Sequence, residues 1–348
     1  MIWYQYVISA VTGAVTDHQA TLDGSPLLLH PGRKIYEIHP VIISVSRATD
    51  IPSFYLDWFL RRYAEGYIIW KNPYRHDQKQ KVLFDKTRAA VFWTKDPGAL
   101  LHRIDDIDTL LLHYYVQVTL NDYEGCGYEL SVPLLEKRIH DFQKLSRRLG
   151  RERVIWRFDP LLLSDLVPLE ELFRRIKLLF SLLSPYCDRM VFSFIDISGY
   201  RRVTQNMRHY GLTQVREFTN EEKITTARFL QDCSMTYGPL VMACSQDLDL
   251  TQFGIVPGRC VDDRIFRKIA CHDDDFMIWL DHSAKKDKGQ RPHCTCIEAK
   301  DVGEYSTCMH QCRYCYANQR DEVVAARNYL HRQAINQGIL PESIIPES

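Results

Sequence analysis

The sequence contains no apolar run of about 18 residues, the shortest stretch that would predict a membrane-spanning helix. It also has no excess of either charge, because Lys and Arg together number 44 and so do Asp and Glu. A balanced chain has no general attraction to nucleic acid or to an anionic membrane, although a local basic groove stays open. The apolar start, residues 1–13, lacks the basic flank and cleavage site of a signal peptide. We therefore predict a cytoplasmic protein with no membrane partner.

Cysteine, in contrast, is abundant, with 11 residues. Thiols stay reduced in the cytoplasm, and an odd count does not suit a framework of disulfides. A chain of 348 residues also buries a core large enough to fold without covalent staples. The cysteines therefore indicate metal binding or catalysis.

Short apolar stretches alternate with helical patterns along the middle of the chain. Six stretches predict strands: 40–47, 89–96, 112–120, 153–160, 189–196 and 239–247. Helical spacing is clearest at 53–66, 132–149, 167–183 and 219–235, and residues 66–86 are predicted to form a hairpin. Such alternation predicts an α/β fold with a parallel sheet, either an open doubly wound sheet or a full or partial TIM-like (β/α) barrel.

Polar side chains recur where these strands are predicted to end. They include Arg47, Asp50, Lys95, Arg157 and Asp159. The barrel is favoured because the carboxyl ends of barrel strands converge on one site. We predict that these five side chains contact a bound cofactor, while a structural ion pair or a turn remains the alternative for each.

Composition divides the chain into four parts. Residues 1–38 are predicted to be an N-terminal extension, and residues 39–247 the body of the barrel. The cysteine-rich segment 248–338 is predicted to complete the barrel, with a helix over 321–338. Residues 339–348 form a tail that we expect to be frayed.

Three cysteines lie within the run TCMHQCRYCYANQ, residues 307–319, spaced Cys308-x3-Cys312-x2-Cys315. With His310 as a fourth ligand they could bind zinc, although the spacing is cramped and lacks paired CxxC knuckles. Alternatively, the three thiolates could bind three irons of a cubane cluster and leave the fourth iron open to a substrate or cofactor.

This spacing, with Tyr314 before the third cysteine, resembles the Cys-x3-Cys-x-aromatic-Cys motif of the radical S-adenosylmethionine (SAM) superfamily. The resemblance implies a [4Fe–4S] cluster on Cys308, Cys312 and Cys315, with Tyr314 beside a SAM molecule bound to the fourth iron. It further implies reductive cleavage of SAM to a 5′-deoxyadenosyl radical, and a flavodoxin- or ferredoxin-type protein as reductant.

A longer resemblance covers about residues 40–330. The segments ISVSRATDIP, VFWTKDP, VIWRFDP and DVGEYSTCMHQCRYCYAN resemble an uncharacterised family of bacterial and archaeal proteins. The sequence YCYAN is also similar to spore photoproduct lyase and its relatives. That similarity makes a nucleic acid or nucleotide substrate one expectation.

The motif departs from the superfamily in its place, because it normally follows the first barrel strand and here comes last. We predict a permuted barrel in which residues 296–303 supply the strand before the cluster loop and 319–335 the helix after it. The prediction requires 296–303 to lie beside 40–47 in one sheet.

A second group, Cys244, Cys260, Cys294 and Cys296, could bind an auxiliary iron–sulfur cluster or zinc, or could be packed thiols. The remaining four, Cys126, Cys187, Cys233 and Cys271, are predicted to be structural or incidental. The alternative function is a structural zinc or iron–sulfur module, in a barrel that binds nucleic acid or protein without SAM chemistry.

Overall fold

The computed structural model describes residues 27–30, 33–75, 78–111 and 113–347, with backbone alone for 27–30, 33 and 34. Its strands in these ranges are β1 (Leu27–His30), β2 (Arg33–Ile38), β3 (Ile42–Val45), β4 (Tyr67–Lys71), β5 (Lys79–Leu83), β6 (Ala89–Thr94), β7 (His113–Thr119), β8 (Val154–Leu161), β9 (Arg189–Phe194), β10 (Leu240–Ala243), β11 (Val256–Pro257) and β12 (Lys300–Asp301). Its α-helices are α1 (Ile51–Phe54), α2 (Leu56–Ala64), α3 (Pro97–Leu101), α4 (Ile104–Leu110), α5 (Leu135–Leu149), α6 (Leu169–Leu183), α7 (Arg201–His209), α8 (Asn220–Tyr237), α9 (Asp263–Ile269), α10 (Asp274–His282) and α11 (Asp321–Asn336).

The main sheet has eight strands in the order β11-β10-β9-β8-β7-β6-β3-β12. Every neighbouring pair is parallel. Helices connect these strands, as parallel neighbours require. The short strands β11 and β12 lie at the two edges, and this arrangement is compatible with a partial or full β/α barrel.

The six predicted strands are confirmed as β3, β6, β7, β8, β9 and β10. The predicted hairpin is confirmed too, because β4 and β5 pair in antiparallel register. Residues 296–303 contain β12, which pairs with β3 through Lys300 opposite Ile43 and Asp301 opposite Ser44. The last strand therefore lies beside the first strand of the main sheet, as the permuted order requires.

The two faces of the main sheet bury different side chains, because successive residues of a strand point to opposite faces. Phe92, Trp156 and Phe192 pack in the larger core cluster, which also holds the apolar faces of α2, α5 and α6. Val91 and Ile155 point the other way and pack against α9 and α10. We call this second side the inner face.

The small sheet has the order β1-β2-β5-β4. Of the predicted N-terminal extension, residues 1–26 lie outside the described residues, and β1 and β2 join this sheet. The expectation of a frayed tail is wrong. Ile69 N donates to Glu342 O at 2.8 Å, Trp58 Nε1 donates to Pro341 O at 2.7 Å, and Ile344 is 1% exposed. Two apolar side chains after the Pro341 turn, Ile344 and Ile345, are buried and hold the tail in place.

Among the helices of the described residues, none combines the length and the apolar character that crossing a bilayer would require.

Candidate active site

The cluster loop, residues 302–320, leaves the edge of the main sheet directly after β12 and ends where α11 begins. Its first turn is fixed by Asp301, whose carboxylate accepts hydrogen bonds from Ser44 Oγ at 2.9 Å and Ser46 Oγ at 2.7 Å. Arg47 N donates to the same carboxylate at 2.7 Å. A Cβ at Gly303 would collide with Ser46 Oγ, so this position requires glycine. The loop therefore starts at the carboxyl ends of β3 and β12.

Cys308, Cys312 and Cys315 lie in one tightly bonded part of this loop. Cys315 N donates to Cys312 O at 3.1 Å. Ala317 N and Asn318 N both donate to Cys315 Sγ at 3.3 Å, and Asn318 Nδ2 donates to Cys308 O at 2.7 Å. Asn318 thus connects the first and third cysteines, and backbone N–H groups face one of the sulfurs as they do in metal thiolate sites.

The three thiols share one electrostatic environment. The pKa of Cys308 is raised to about 12, most of all by burial and then by the charges of Asp50 and Cys315. Burial also raises the pKa of Cys312 and of Cys315. All three side chains keep partial exposure. A bound cation would lower these pKa values, because metal binding requires and stabilises the thiolate.

His310 is not available as a ligand in this arrangement. Its Nε2 lies 2.8 Å from Asp50 Oδ2 and its Nδ1 lies 3.3 Å from the carbonyl oxygen of Ser131. Asp50 also accepts from Lys95 N at 2.7 Å and from Thr94 Oγ1 at 3.0 Å. Asp50 is 6% exposed and holds the loop against β6, while its contact with a cofactor stays a prediction.

Lys95 and Tyr314 meet under the loop at a carboxylate that the sequence did not reveal, Glu129. Lys95 Nζ lies 2.7 Å from Glu129 Oε1 and 3.1 Å from the hydroxyl of Tyr314. Tyr314 also donates to Glu129 Oε1 and accepts from Asn121 Nδ2 at 3.1 Å. Glu129 is fully buried and forms an antiparallel bridge with Cys312. Its second oxygen, Oε2, has no hydrogen-bond partner among the described residues.

Three of the predicted cofactor contacts, Arg47, Arg157 and Asp159, lie on the inner face. Trp93, which was not singled out from the sequence, lies on the same face beside the two arginines. The guanidinium carbons of Arg47 and Arg157 lie 5.8 and 5.1 Å from the Trp93 ring centroid. Arg157 is paired with Asp159, and Arg47 lies 3.6 Å from Asp287. Of these three predicted contacts, Arg47 and Arg157 therefore face an indole ring, and Asp159 is the ion-pair partner of Arg157.

Cys244, Cys260, Cys294 and Cys296, the inner thiol set, are brought together on the inner face. The sulfurs of Cys244 and Cys260 lie 3.5 Å apart, and Cys260 N donates to Cys296 Sγ at 3.1 Å. Hydrogen bonding with Cys244 and Cys296 lowers the pKa of Cys260. Hydrogen bonding with Cys296 lowers the pKa of Cys294 to about 6. Arg157 Nη1 lies 2.9 Å from the Cys260 sulfur and donates to it.

The other four cysteines lie elsewhere: Cys187 and Cys233 are buried among helices, Cys271 is exposed, and the Cys126 sulfur accepts from Arg175 Nη1 at 3.3 Å. All 11 cysteines are free of disulfides. Across the described part of the chain, no three His, Cys, Asp or Glu side chains already surround a common metal position. The sulfurs of either group would therefore reach a metal by rotation about their Cα–Cβ bonds.

Aromatic side chains fill the space near both thiol groups. The Tyr316 hydroxyl donates to Arg47 O at 2.8 Å, and its ring centroid lies 5.7 Å from that of Tyr200. Tyr200 in turn faces Arg291, whose guanidinium carbon lies 5.7 Å from the Tyr200 centroid. Of these residues Arg47 was predicted from the sequence as a cofactor contact, whereas Tyr200 and Arg291 were missed, since nothing in a local pattern connects residues so far apart.

The chain belongs to the family described as a domain of unknown function (DUF1848), whose model matches residues 42–317. The match spans β3 through the cluster loop and so includes both thiol groups. No curated protein matches the chain significantly.

Proposed function

We propose that this member of the family is a radical SAM enzyme with a permuted, partial or full β/α barrel. One observation carries the proposal: the loop with Cys308, Cys312 and Cys315 follows a strand that pairs in parallel with β3. The loop therefore starts at the carboxyl edge of a parallel sheet, the edge where such folds bind cofactors.

The donor set fits a [4Fe–4S] cluster with one position left open. Cys308, Cys312 and Cys315 supply three thiols, and His310 is already occupied by Asp50 and Ser131. When bound, the cluster supplies an iron for the amino and carboxylate groups of SAM and the electron for reductive cleavage of a carbon–sulfur bond. The sulfur of Cys315 would keep its two backbone N–H donors.

The surrounding residues would orient this cofactor. Glu129 Oε2 is buried beside the loop without a partner among the described residues, so it would offer an acceptor for the ammonium group of SAM. Lys95, Asn121 and Tyr314 hold this carboxylate in place through its other oxygen. Of the predicted cofactor contacts, Arg47, Arg157 and Asp159 lie on the inner face, where a substrate could meet them.

For the substrate we propose a chemical class and not a single compound. Arg47, Arg157 and Arg291 place three cations near Trp93 and Tyr200, a combination that would suit an anionic, planar group such as a nucleotide. Reduction by a flavodoxin- or ferredoxin-type protein remains a prediction of the resemblance, and a cytoplasmic location remains a prediction from the sequence. A structural zinc or iron–sulfur module without SAM chemistry is the alternative.

The test is an anaerobic reconstitution with iron and sulfide, followed by dithionite and SAM. We expect a brown protein that forms 5′-deoxyadenosine, and we expect both properties to be lost in the Cys308/Cys312/Cys315→Ala variant. Cys271→Ala, which changes an exposed thiol, is the matched control and should retain both. Iron bound to the wild-type protein without 5′-deoxyadenosine would favour the structural module, and a colourless protein with zinc in the loop would overturn the proposal.

A further inference from the structure

The inner thiol set gathers four cysteines that are distant in sequence. Cys244 directly follows β10, Cys260 lies in the turn after β11, and Cys294 and Cys296 come from the irregular segment before β12. Cys260, Cys294 and Cys296 are buried, and Cys244 is partly exposed. Packed thiols alone would need no such convergence, because any small apolar side chain fills the same space.

The backbone, and not only the side chains, holds the inner thiol set together. Cys260 N and Val261 N donate to Cys296 Sγ at 3.1 and 3.4 Å. Ile297 N donates to Val261 O at 3.1 Å, and Thr295 Oγ1 donates to Gly258 O at 3.1 Å. The last two bonds keep Cys260 and Cys296 adjacent whatever rotamers the cysteines adopt, and N–H groups directed at sulfur, as in the first two, are a common second shell of metal thiolates.

The spacing of the sulfurs suits a single tetrahedral ion. Zinc–sulfur bonds of about 2.3 Å in a tetrahedron place neighbouring sulfurs about 3.8 Å apart. Cys244 Sγ and Cys260 Sγ lie 3.5 Å apart, close to this value. A cubane cluster separates its cysteine sulfurs much more, because four irons lie between them.

The charges around the inner thiol set also suit such an ion. Four thiolates and one divalent cation leave two net negative charges, which need cationic neighbours inside a protein. Arg157 Nη1 lies 2.9 Å from Cys260 Sγ, and the Arg157 side chain is 5% exposed. Arg47 interacts electrostatically with Cys296, and Arg291 does so with Cys244.

We infer that Cys244, Cys260, Cys294 and Cys296 bind one divalent ion of the zinc type, which fastens the segment before β12 to the end of β10. The thiol protons go to solvent as the ion binds. Cys296 lies beside both Cys260 and Cys294, and Cys244 beside Cys260, so the four thiols would close around the ion when their side chains turn. This ion is independent of the proposed SAM chemistry.

The experiment uses cobalt(II) as the probe in the Cys308/Cys312/Cys315→Ala background, so that only the inner thiol set is tested. After anaerobic removal of metal by a chelator, cobalt(II) should bind at about one equivalent per chain, with the strong sulfur-to-cobalt absorption of a tetrahedral thiolate site. Zinc should displace it. Adding Cys260→Ser or Cys296→Ser should abolish the absorption, while adding Cys271→Ser should leave it unchanged.

Three results would overturn the inference. They are no cobalt binding in this background, cobalt absorption that survives Cys260→Ser and Cys296→Ser, and iron with sulfide bound to the background protein and lost on Cys260→Ser. The last result would assign a cluster instead of a single ion. Absence of 5′-deoxyadenosine formation by the reconstituted wild-type protein, with cobalt binding intact in the background protein, would instead contradict only the proposed function.

A measurement on the unmutated protein guards against variants that fail to fold. The protein is labelled with a maleimide with and without zinc, and each cysteine is quantified by peptide mass spectrometry. Zinc should protect all four cysteines of the inner thiol set and leave the exposed Cys271 reactive. Equal labelling of the four with and without zinc, or a Cys244–Cys260 disulfide in their place, would contradict the inference.

Discussion

Ser46 Oγ donates a hydrogen bond of 2.7 Å to Asp301 Oδ1, although the two residues are 255 positions apart in the chain. The bond joins the residue after β3 to the last residue of β12. Because β12 has only two residues, its hydrogen bonds with β3 do little to fix the register of the two strands. The side-chain hydrogen bonds of the Asp301 carboxylate fix that register, and the position of the cluster loop depends on them.

Gly303→Ala should disturb this junction. The added Cβ would collide with Ser46 Oγ, so the loop or the end of β3 must shift. We expect unfolding in urea to show a loss of about 1–3 kcal/mol in stability, with less iron retained after reconstitution. Gly125→Ala is the control, since its Cβ would meet nothing within 4 Å, and it should be close to neutral. Equal stability of the two variants would contradict the role given to Gly303.

The His310→Leu variant distinguishes two possible roles of His310, as a metal ligand or as a residue that orients the loop. The substitution removes a partner from the buried carboxylate of Asp50, so we expect a loss of about 1–3 kcal/mol in stability. The iron content after reconstitution should match that of the wild-type protein, whereas Cys312→Ala should lose iron. Iron analysis decides the question, because a zinc or iron site that includes His310 would lose its metal in both variants.

Lys300 predicts a pH dependence of stability. Burial lowers the pKa of this ammonium group from 10.5 to about 7, although Asp301 opposes the shift. Its Nζ lies 2.6 Å from Gln80 Oε1 and 3.1 Å from the Trp70 ring centroid. Between these two pKa values the unfolded chain binds more protons than the folded one, so the free energy of unfolding should rise from pH 7 toward pH 10.

Lys300→Met should remove this rise. It should also stabilise the protein at pH 7, because folding of the wild-type protein at that pH has to bury the ammonium group or remove its proton. Urea unfolding at several pH values between 7 and 10 measures the slope. Lys86→Met, at an exposed position, should keep the wild-type slope. If Lys300→Met and the wild-type protein show the same slope, Lys300 titrates normally in the folded state.

The sequence predicted those features that depend on neighbours along the chain. β6, β7 and β8 were predictable because runs such as Ala89–Thr94 are apolar on both faces, as buried parallel strands are. The place of β12 followed from resemblance and not from pattern, because two residues carry no period. Glu129 was missed since its partner Lys95 is 34 residues away, and isolated carboxylates have no local signature. The tail was misjudged because its anchors, Trp58 and Ile69, are distant in sequence.

Glu129 stabilises the loop through one carboxylate oxygen and is proposed to bind SAM through the other. Burial alone would raise the pKa of this carboxyl, but the charges of Lys95 and Arg138 lower it below its ordinary value. Glu129→Gln leaves Lys95 buried beside a neutral group, and we expect a loss of about 3–5 kcal/mol in the free energy of unfolding. Adding Lys95→Met should restore part of this loss, because the unpaired charge is then gone.

The double variant also tests the unpartnered oxygen, Glu129 Oε2. If that oxygen accepts from the ammonium group of SAM, the Glu129→Gln/Lys95→Met protein should regain part of the lost stability and bind iron as the wild-type protein does, while its apparent affinity for SAM is weaker than that of the wild-type protein. The affinity is measured as the SAM concentration that gives half-maximal 5′-deoxyadenosine formation. Tyr123→Phe, which removes a hydroxyl that accepts from Leu162 N and keeps the ring against Tyr314, is the matched control and should keep the wild-type affinity. Wild-type affinity in the double variant would confine Glu129 to holding the loop, because a charged acceptor for an ammonium group cannot be lost without weaker binding.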